Sequence, residues 1–292
     1  MSSVAHREQD TGAAEPLRVT VLCGGPSRER EVSLESGKAV ADALRRKGHA
    51  VHVADINPDD LSALDTPTDV IFPALHGTFG EDGQLQAILE QRGIPFVGAG
   101  SAASALAMDK VRSKQAALEQ GIPTAQYEVW RADTHHQRRH PYQPLPVVVK
   151  PVAEGSSVSV TIVKDMRDFL PAVEQTIAAH GSALVESFIK GAELTVGIVG
   201  DTELPPICIR PKRDFYDYDA KYRDNQTEYV FDAYPAEVLE TTRQQSRRLH
   251  DAIGVRHLSR VDWIVDDEQR PWFLEINTLP GFTPISMYPR LW

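Results

Sequence analysis

Four polar side chains near the end of the chain interrupt two apolar runs. In SRVDW, Arg260 and Asp262 stand two residues apart, and in LEIN, Glu275 and Asn277 repeat that spacing. Each run reads as a strand, so the two-residue period puts each pair on one face. Buried charge is costly unless paired or metal-bound, which sets a surface ion pair against a built site. Two carboxylates and an amide oxygen are hard donors suited to Mg²⁺, completed by water and nucleotide phosphates. The guanidinium beside them would clamp an oxyanion or an acyl phosphate.

Three other stretches carry chemistry. VVVKPVAEGSS sets Lys150 at a strand edge before Gly155, Ser156 and Ser157. Such a loop covers phosphates while the lysine reaches them, or it is a plain β-hairpin. LHGTFGEDG puts His76 at a strand end, followed by three glycines and two acids, either a loop-borne site at the carboxyl edge of a parallel sheet or an exposed turn. In GGPSREREVSLESG, Gly24 and Gly25 permit a turn at the next helix, but Glu29, Glu31 and Glu35 would repel phosphate. A buried glutamate there suits a substrate ammonium group, with solvated surface as the alternative for each of the three. Two further motifs are weak. VGAGSAAS, with Gly98, Gly100 and Ala103, fits the relaxed dinucleotide fingerprint but follows only a short strand, so a tight turn competes. The HHQRRH run at 135–140 fits no metalloprotease spacing.

The elements that must position these residues follow from periodicity. LRVTVLC, AVHVADI, TDVIFPAL and IPFVG read as buried strands. Helices fall between them, one from Ser36 to Lys47 stopped by Gly48 and one in GQLQAILEQRG closed by Gly93. A parallel sheet with helices on its faces is predicted over 17–100. SAASALAMDKVRSKQAALEQG is Ala-rich and helical as far as Gly121, and a polar, Pro-rich loop follows. PVVVKP, SVSVTIV, ALVESFI, ELTVGIVG and PPICIRP then predict antiparallel strands, with one helix near Met166 to Ala179. The polar, aromatic stretch KRDFYDYDAKYRDNQTEYVF is long enough for a functional loop or lid. A helix from Ala236 to Ile253 and the two closing strands complete the chain, which has no repeat.

Composition narrows the classes. A chain of 292 residues suggests two or three domains, and a net charge of −10 argues against a nucleic-acid groove or an anionic-membrane patch. The first sixteen residues read as a disordered tail without the apolar region of a secretory signal, and no run approaches the roughly 20 apolar residues of a membrane span. Cys23 and Cys208 lie far apart inside apolar runs, which predicts buried thiols in a reducing, cytoplasmic compartment.

Taken in order, EVSLESG, HGTFGEDG, MDK, KPVAEGSS, FYDYDAKY, SRVDW and LEINTLPGFTPIS resemble the D-alanine:D-alanine ligases of the ATP-grasp superfamily, from about Leu17 to Leu291. The resemblance implies an N-terminal parallel α/β domain (17–100) and a central α+β subdomain (101–190). It implies a C-terminal subdomain (191–292) with a lid at 211–231, ATP lying between the last two. It makes Glu31 the partner of the first D-alanine's ammonium group, with His76 nearby, and Ser156 and Tyr222 the pair that bonds that glutamate. Lys110 and Lys150 become phosphate lysines and Lys221 the lid lysine. Glu186 and the backbone of Ile189 fall at adenine, and Glu193 at the ribose. Asp262, Glu275 and Asn277 match the ligands of two Mg²⁺ ions, for which Mn²⁺ can substitute. Arg260 and the Gly281 amide match the oxyanion stabilisers, and Ser286 the contact to the second substrate's carboxylate.

The implied activity is ATP-dependent formation of D-alanyl-D-alanine through an acyl phosphate, by a homodimer that serves peptidoglycan precursor synthesis. Tyr222 resembles the residue of ligases whose acceptor is an amine, where phenylalanine marks those that accept D-lactate. D-serine or another amine is the competing acceptor. The family pattern also continues past Leu291 into a helix of about 20 residues, so a non-catalytic nucleotide-binding homologue is the remaining alternative.

Overall fold

The strand Arg18–Cys23 is buried at every position but its first, so helices cover both faces of the first sheet. The computed structural model describes residues 15–155, 159–210, 227–283, 286 and 288. β1 (Arg18–Cys23) is followed by α1 (Arg30–Arg46), β2 (Ala50–Asp55), β3 (Val70–Pro73) and α2 (Gln84–Gln91), and the three strands pair in parallel in the order β2-β1-β3. Val19, Val21 and Cys23 meet α1 through Val40 and Ala41, while Leu22 and Ile71 meet Leu85 and Leu89 of α2.

α3 (Ser101–Met108) and α4 (Lys110–Glu119) come next, then β4 (Tyr127–Arg131), β5 (Val147–Pro151), β6 (Thr161–Val163), α5 (Met166–His180) and β7 (Ser182–Ser187). β4 to β7 form an antiparallel sheet in the order β4-β7-β5-β6. It has its own core, in which Val147, Val149 and Val185 pack with Trp130 against Phe169 and Val173 of α5.

The largest sheet runs β11-β10-β8-β12-β13, with β9 beside β8. Its members are β8 (Gly191–Val199), β9 (Thr202–Glu203), β10 (Ile207–Arg210), β11 (Glu228–Val230), β12 (Leu258–Asp266) and β13 (Pro271–Asn277), with α6 (Ala236–Ile253) preceding β12. Leu194, Val196, Val261 and Trp263 turn to a core shared with Leu249 of α6 and with Ala103, Ala107 and Ala117. Sequence order groups α3 and α4 with the central segment, but their small side chains pack under this larger sheet.

The first and last sheets are also tied together. The Gly98 amide donates to His257 Nδ1 at 3.0 Å, Arg256 Nε donates to the Gly98 carbonyl at 3.3 Å, and the Phe72 and Phe282 rings meet edge-on at 5.4 Å.

Several elements depart from expectation for identifiable reasons. α1 begins at Arg30, six residues before Ser36, because its buried face is built from small residues. A Cβ on Gly37 would lie 2.5 Å from Cys23 Cβ, so glycine here permits close packing rather than ending a helix. The Ala-rich helix is two helices, broken where the Asp109 carboxylate caps the Val111 and Arg112 amides at 2.9 and 3.0 Å. IPFVG makes only the bridge between Ile71 and Phe96, since Pro95 has no N–H to extend a ladder. β4 went unread, Thr161–Val163 is the strand among the described residues of SVSVTIV, and both cysteines are buried and free. No helix of the described residues is long and apolar enough to cross a membrane.

Behind β12, His250 Nδ1 meets Ser259 Oγ at 2.7 Å and Trp263 Nε1 donates to Ser246 Oγ at 3.0 Å. Burial, with Arg247 adding to it, pushes the His250 imidazole from 6.5 to about 4. The unfolded chain takes up this proton near 6.5 while the native state resists it. The stability it contributes is complete above that pH and is lost as pH falls toward the folded value. Thermal melts should therefore show the melting temperature falling from pH 6.5 downward, with a shallower slope in His250→Gln.

Candidate active site

The break at Asp109 aims the start of α4 at the central sheet. The Lys110 backbone amide there donates to the Val152 carbonyl at 2.9 Å, and its ammonium donates to the Glu154 carbonyl. One turn later, Lys114 lies on the same helix face. Lys150, on β5, is the third cation of the cleft between the central and largest sheets, whose walls include Glu186, Ile189, Glu193, Asp262 and Glu275. Glu186 takes Lys114 Nζ at 3.0 Å and Lys150 Nζ at 2.8 Å. Burial alone would raise the Glu186 carboxyl, but the two lysines outweigh it and hold it below its ordinary value. Burial pulls Lys110 downward against the attraction of Glu275, and brings Lys114 to about 8. Two ammonium groups, Lys110 and Lys150, at the surface of a partly apolar cleft, with Lys114 covered behind Glu186, suit a large polyanionic ligand with an aromatic end.

β12 and β13 supply the opposite charges. Their antiparallel register sets Arg260 across from Asn277 and Asp262 across from Glu275, and a bulge after Asp262 shifts the pairing to Trp263 with Phe273. The bulge lies beyond both polar pairs, so the two-residue alternation survives where the chemistry sits. Asp262 accepts from Arg260 Nε at 2.9 Å and Nη2 at 2.7 Å, and from Thr195 Oγ1 at 2.6 Å. Glu275 Oε2 lies 3.5 Å from Lys110 Nζ, and Asn277 Oδ1 accepts the Leu279 amide at 2.8 Å.

A second cluster forms where the first sheet meets the chain after β13. His76, buried at the end of β3, sets Nε2 3.2 Å from Ser36 Oγ and Nδ1 3.7 Å from Glu81 Oε1. Ser36 Oγ also accepts the Phe282 amide at 3.2 Å. A Cβ on Gly281 would come within 2.9 Å of Ser286 Oγ and 4.0 Å of His76 Nε2, so these three residues share one corner. Ser286 Oγ in turn bonds Thr283 Oγ1 at 2.7 Å.

The expectation for Glu31 needs correcting. Glu31 is exposed on the first turn of α1, whereas Glu29 is buried just before it. Two helical positions rotate a side chain by about 200°, so the two glutamates cannot face one point. A Cβ on Gly77 would lie 3.1 Å from Glu29 Oε2, and one on Gly155 would lie 3.3 Å away. Glu29 thus occupies the place where the loops after β1, β3 and β5 meet.

Ser156, Lys221 and Tyr222, with most of the lid segment, lie outside the described residues. Sequence reading missed Lys114, whose one signal is its i+4 spacing from Lys110, and missed Ser36 and Glu81 as neighbours of His76. The fingerprint-like VGAGSAAS is a turn whose amides are already engaged, Gly98 by His257 and Ser101 by Glu90 Oε1 at 2.9 Å. In HHQRRH, residues His135–Gln137 form a short 3-10 turn, and the described residues hold no cluster of three or more His, Cys, Asp or Glu fit for a metal.

The model of the D-ala D-ala ligase N-terminus matches residues 57–99, and that of the D-ala D-ala ligase C-terminus matches 117–292. A protein of Geotalea uraniireducens named D-alanine--D-alanine ligase is 44% identical over 277 residues, covering 94% of this chain and 89% of its own. The VanG D-Ala:D-Ser ligase from Enterococcus faecalis superposes with a TM-score of 0.82 at 26% identity, over 95% of this chain and 94% of that one. The D-alanine--D-Alanine ligase from Bacillus anthracis complexed with ATP gives 0.78 at 30% identity, over 94% and 90%. The three sheets are those of the ATP-grasp fold, and the chain belongs to the D-alanine--D-alanine ligase family.

Proposed function

We propose that the protein joins two D-alanines into D-alanyl-D-alanine, converting ATP to ADP and phosphate, and so supplies peptidoglycan precursor synthesis in the cytoplasm. The observation that carries this reading is the cleft between the central and largest sheets, where Lys110 of α4 and Lys150 of β5 line one cavity with Asp262 and Glu275. A carboxylate is a poor acyl donor, so an oxygen of the first D-alanine attacks the γ-phosphorus, the bond to the bridging oxygen breaks, and ADP departs from an acyl phosphate. Lys110 and Lys150 neutralise the phosphates with Lys221, while Glu186 and the Ile189 backbone hold adenine and Glu193 the ribose.

Asp262, Glu275 and Asn277 would hold two Mg²⁺ ions, or Mn²⁺, which supply charge neutralisation on the phosphate oxygens. The donor set fits: all three offer oxygen from paired strands, and both carboxylates already draw a cationic side chain, Arg260 and Lys110.

Glu29, rather than Glu31, holds the ammonium of the first D-alanine, with His76 beside it and Ser156 and Tyr222 bonding the glutamate. The amine of the second D-alanine, its carboxylate at Ser286, attacks the acyl carbon. The C–N bond forms, Arg260 and the Gly281 amide stabilise the oxyanion, the nitrogen loses a proton and phosphate leaves. Water is excluded by the Gly155 loop and the lid at 211–231, because an acyl phosphate hydrolyses readily. D-serine as acceptor is the second reading, favoured by the likeness to the D-Ala:D-Ser ligase, whereas Tyr222 and the names of the curated relatives favour D-alanine.

The defining experiment follows phosphate release and dipeptide from ATP with single amino acids. One phosphate per D-alanyl-D-alanine is expected with D-alanine, and equal release with L-alanine would sink the reading. With D-alanine and D-serine together, mass spectrometry should find mainly the homodipeptide. Glu29→Gln should raise the KM for the first D-alanine about 10- to 100-fold, while Glu31→Gln stays close to the parent in steady-state assays. Glu275→Gln should lower kcat by about two orders of magnitude or more with an unchanged melting temperature; near-normal turnover would remove Glu275 from the metal site.

A further inference from the structure

Lysine is among the residues least often fully buried, since removing an ammonium from water is costly without strong partners. Lys114 nevertheless has 0% side-chain exposure, against 6% for Lys150 and 10% for Lys110. Its ammonium has two partners, Glu186 Oε1 at 3.0 Å and Thr124 Oγ1 at 2.6 Å, and Thr124 passes its own proton to the Phe273 carbonyl at 2.8 Å. α4, β7, the segment leading into β4 at Thr124, and β13 are thereby joined under the floor of the cleft.

We infer that Lys114 is a positioning residue for nucleotide recognition, acting through Glu186. The two carboxylate oxygens of Glu186 are divided, Oε1 to Lys114 and Oε2 to Lys150. That division fixes the plane of the carboxylate. It also leaves Lys150 only half of the carboxylate's charge, so two ammonium groups over one carboxylate present a net positive charge to the incoming phosphates. Without Lys114, Oε1 is left buried without a cation, the carboxylate turns toward Lys150, and both the purine contact and the surplus charge are lost. A fully covered ammonium has no surface of its own to offer the nucleotide, so its influence must pass through its partner. This rests on the proposal that Glu186 lies at adenine.

The test uses calorimetric binding of ADP and GDP to the full chain, alongside melting temperature and the separate KM values. Lys114→Met should weaken ADP binding about tenfold or more and narrow the preference for ADP over GDP, with the KM for D-alanine unchanged. Thr124→Val cuts the tie to Phe273 but keeps the Lys114–Glu186 pair. It should lower the melting temperature while leaving ADP affinity within about twofold. The charge-balanced double variant Lys114→Met/Glu186→Gln should bind ADP as Glu186→Gln alone does, a comparison that stands even if Lys114→Met does not fold. Losses that add in the double variant, or parental ADP affinity in Lys114→Met, would overturn the inference while Glu186→Gln remains impaired. Parental ADP affinity in Glu186→Gln would instead remove the nucleotide reading of the cleft and this inference with it.

Discussion

The pairing of β12 with β13 brings Asp262 opposite Glu275 and Arg260 opposite Asn277, and the organisation of the cleft depends on that register. A slip of β13 by one residue would turn Glu275 and Asn277 toward the core now filled by Val261, Trp263, Phe273 and Ile276. The core therefore enforces the chemistry. Burial of Trp263 against Phe273, rings 5.9 Å apart, holds the strands in the one alignment that keeps both carboxylates on the cleft side.

Charge balance across the cleft follows from that alignment. Arg260 offsets Asp262, Lys110 offsets Glu275, and Glu186 lies between two lysines, so acids and bases are interleaved rather than segregated by wall. Interleaving keeps a buried polar site tolerable before any ligand arrives. It also means that one substitution disturbs several partners, because Glu186 alone links α4, β5 and β7.

Much of this was legible in the sequence. The paired polar residues of the closing strands, the histidine at the end of β3 and the lysine at the edge of β5 each interrupt an apolar run at strand spacing, a pattern that survives folding unchanged. Glu29 was harder, since it is one of three nearby glutamates, and only the true start of α1 decides which is covered. That start was obscured because residues 30–35, charged and adjoining the glycine turn, read as part of the loop until β1 is seen packed against α1. Lys114 carried almost no signal: a lysine in a charged helix reads as surface, and its burial depends on Thr124 and Glu186, which arrive from elsewhere in the chain.

The distribution of cores has a mechanical consequence. The central sheet keeps its own core around Trp130 and Phe169, whereas the outer two sheets are stitched together through Gly98, His257 and the Phe72–Phe282 ring pair. Stress on the molecule would accordingly concentrate along the polar seam beside the central sheet, and the corner holding His76, Gly281 and Ser286 would ride on the stiffer frame.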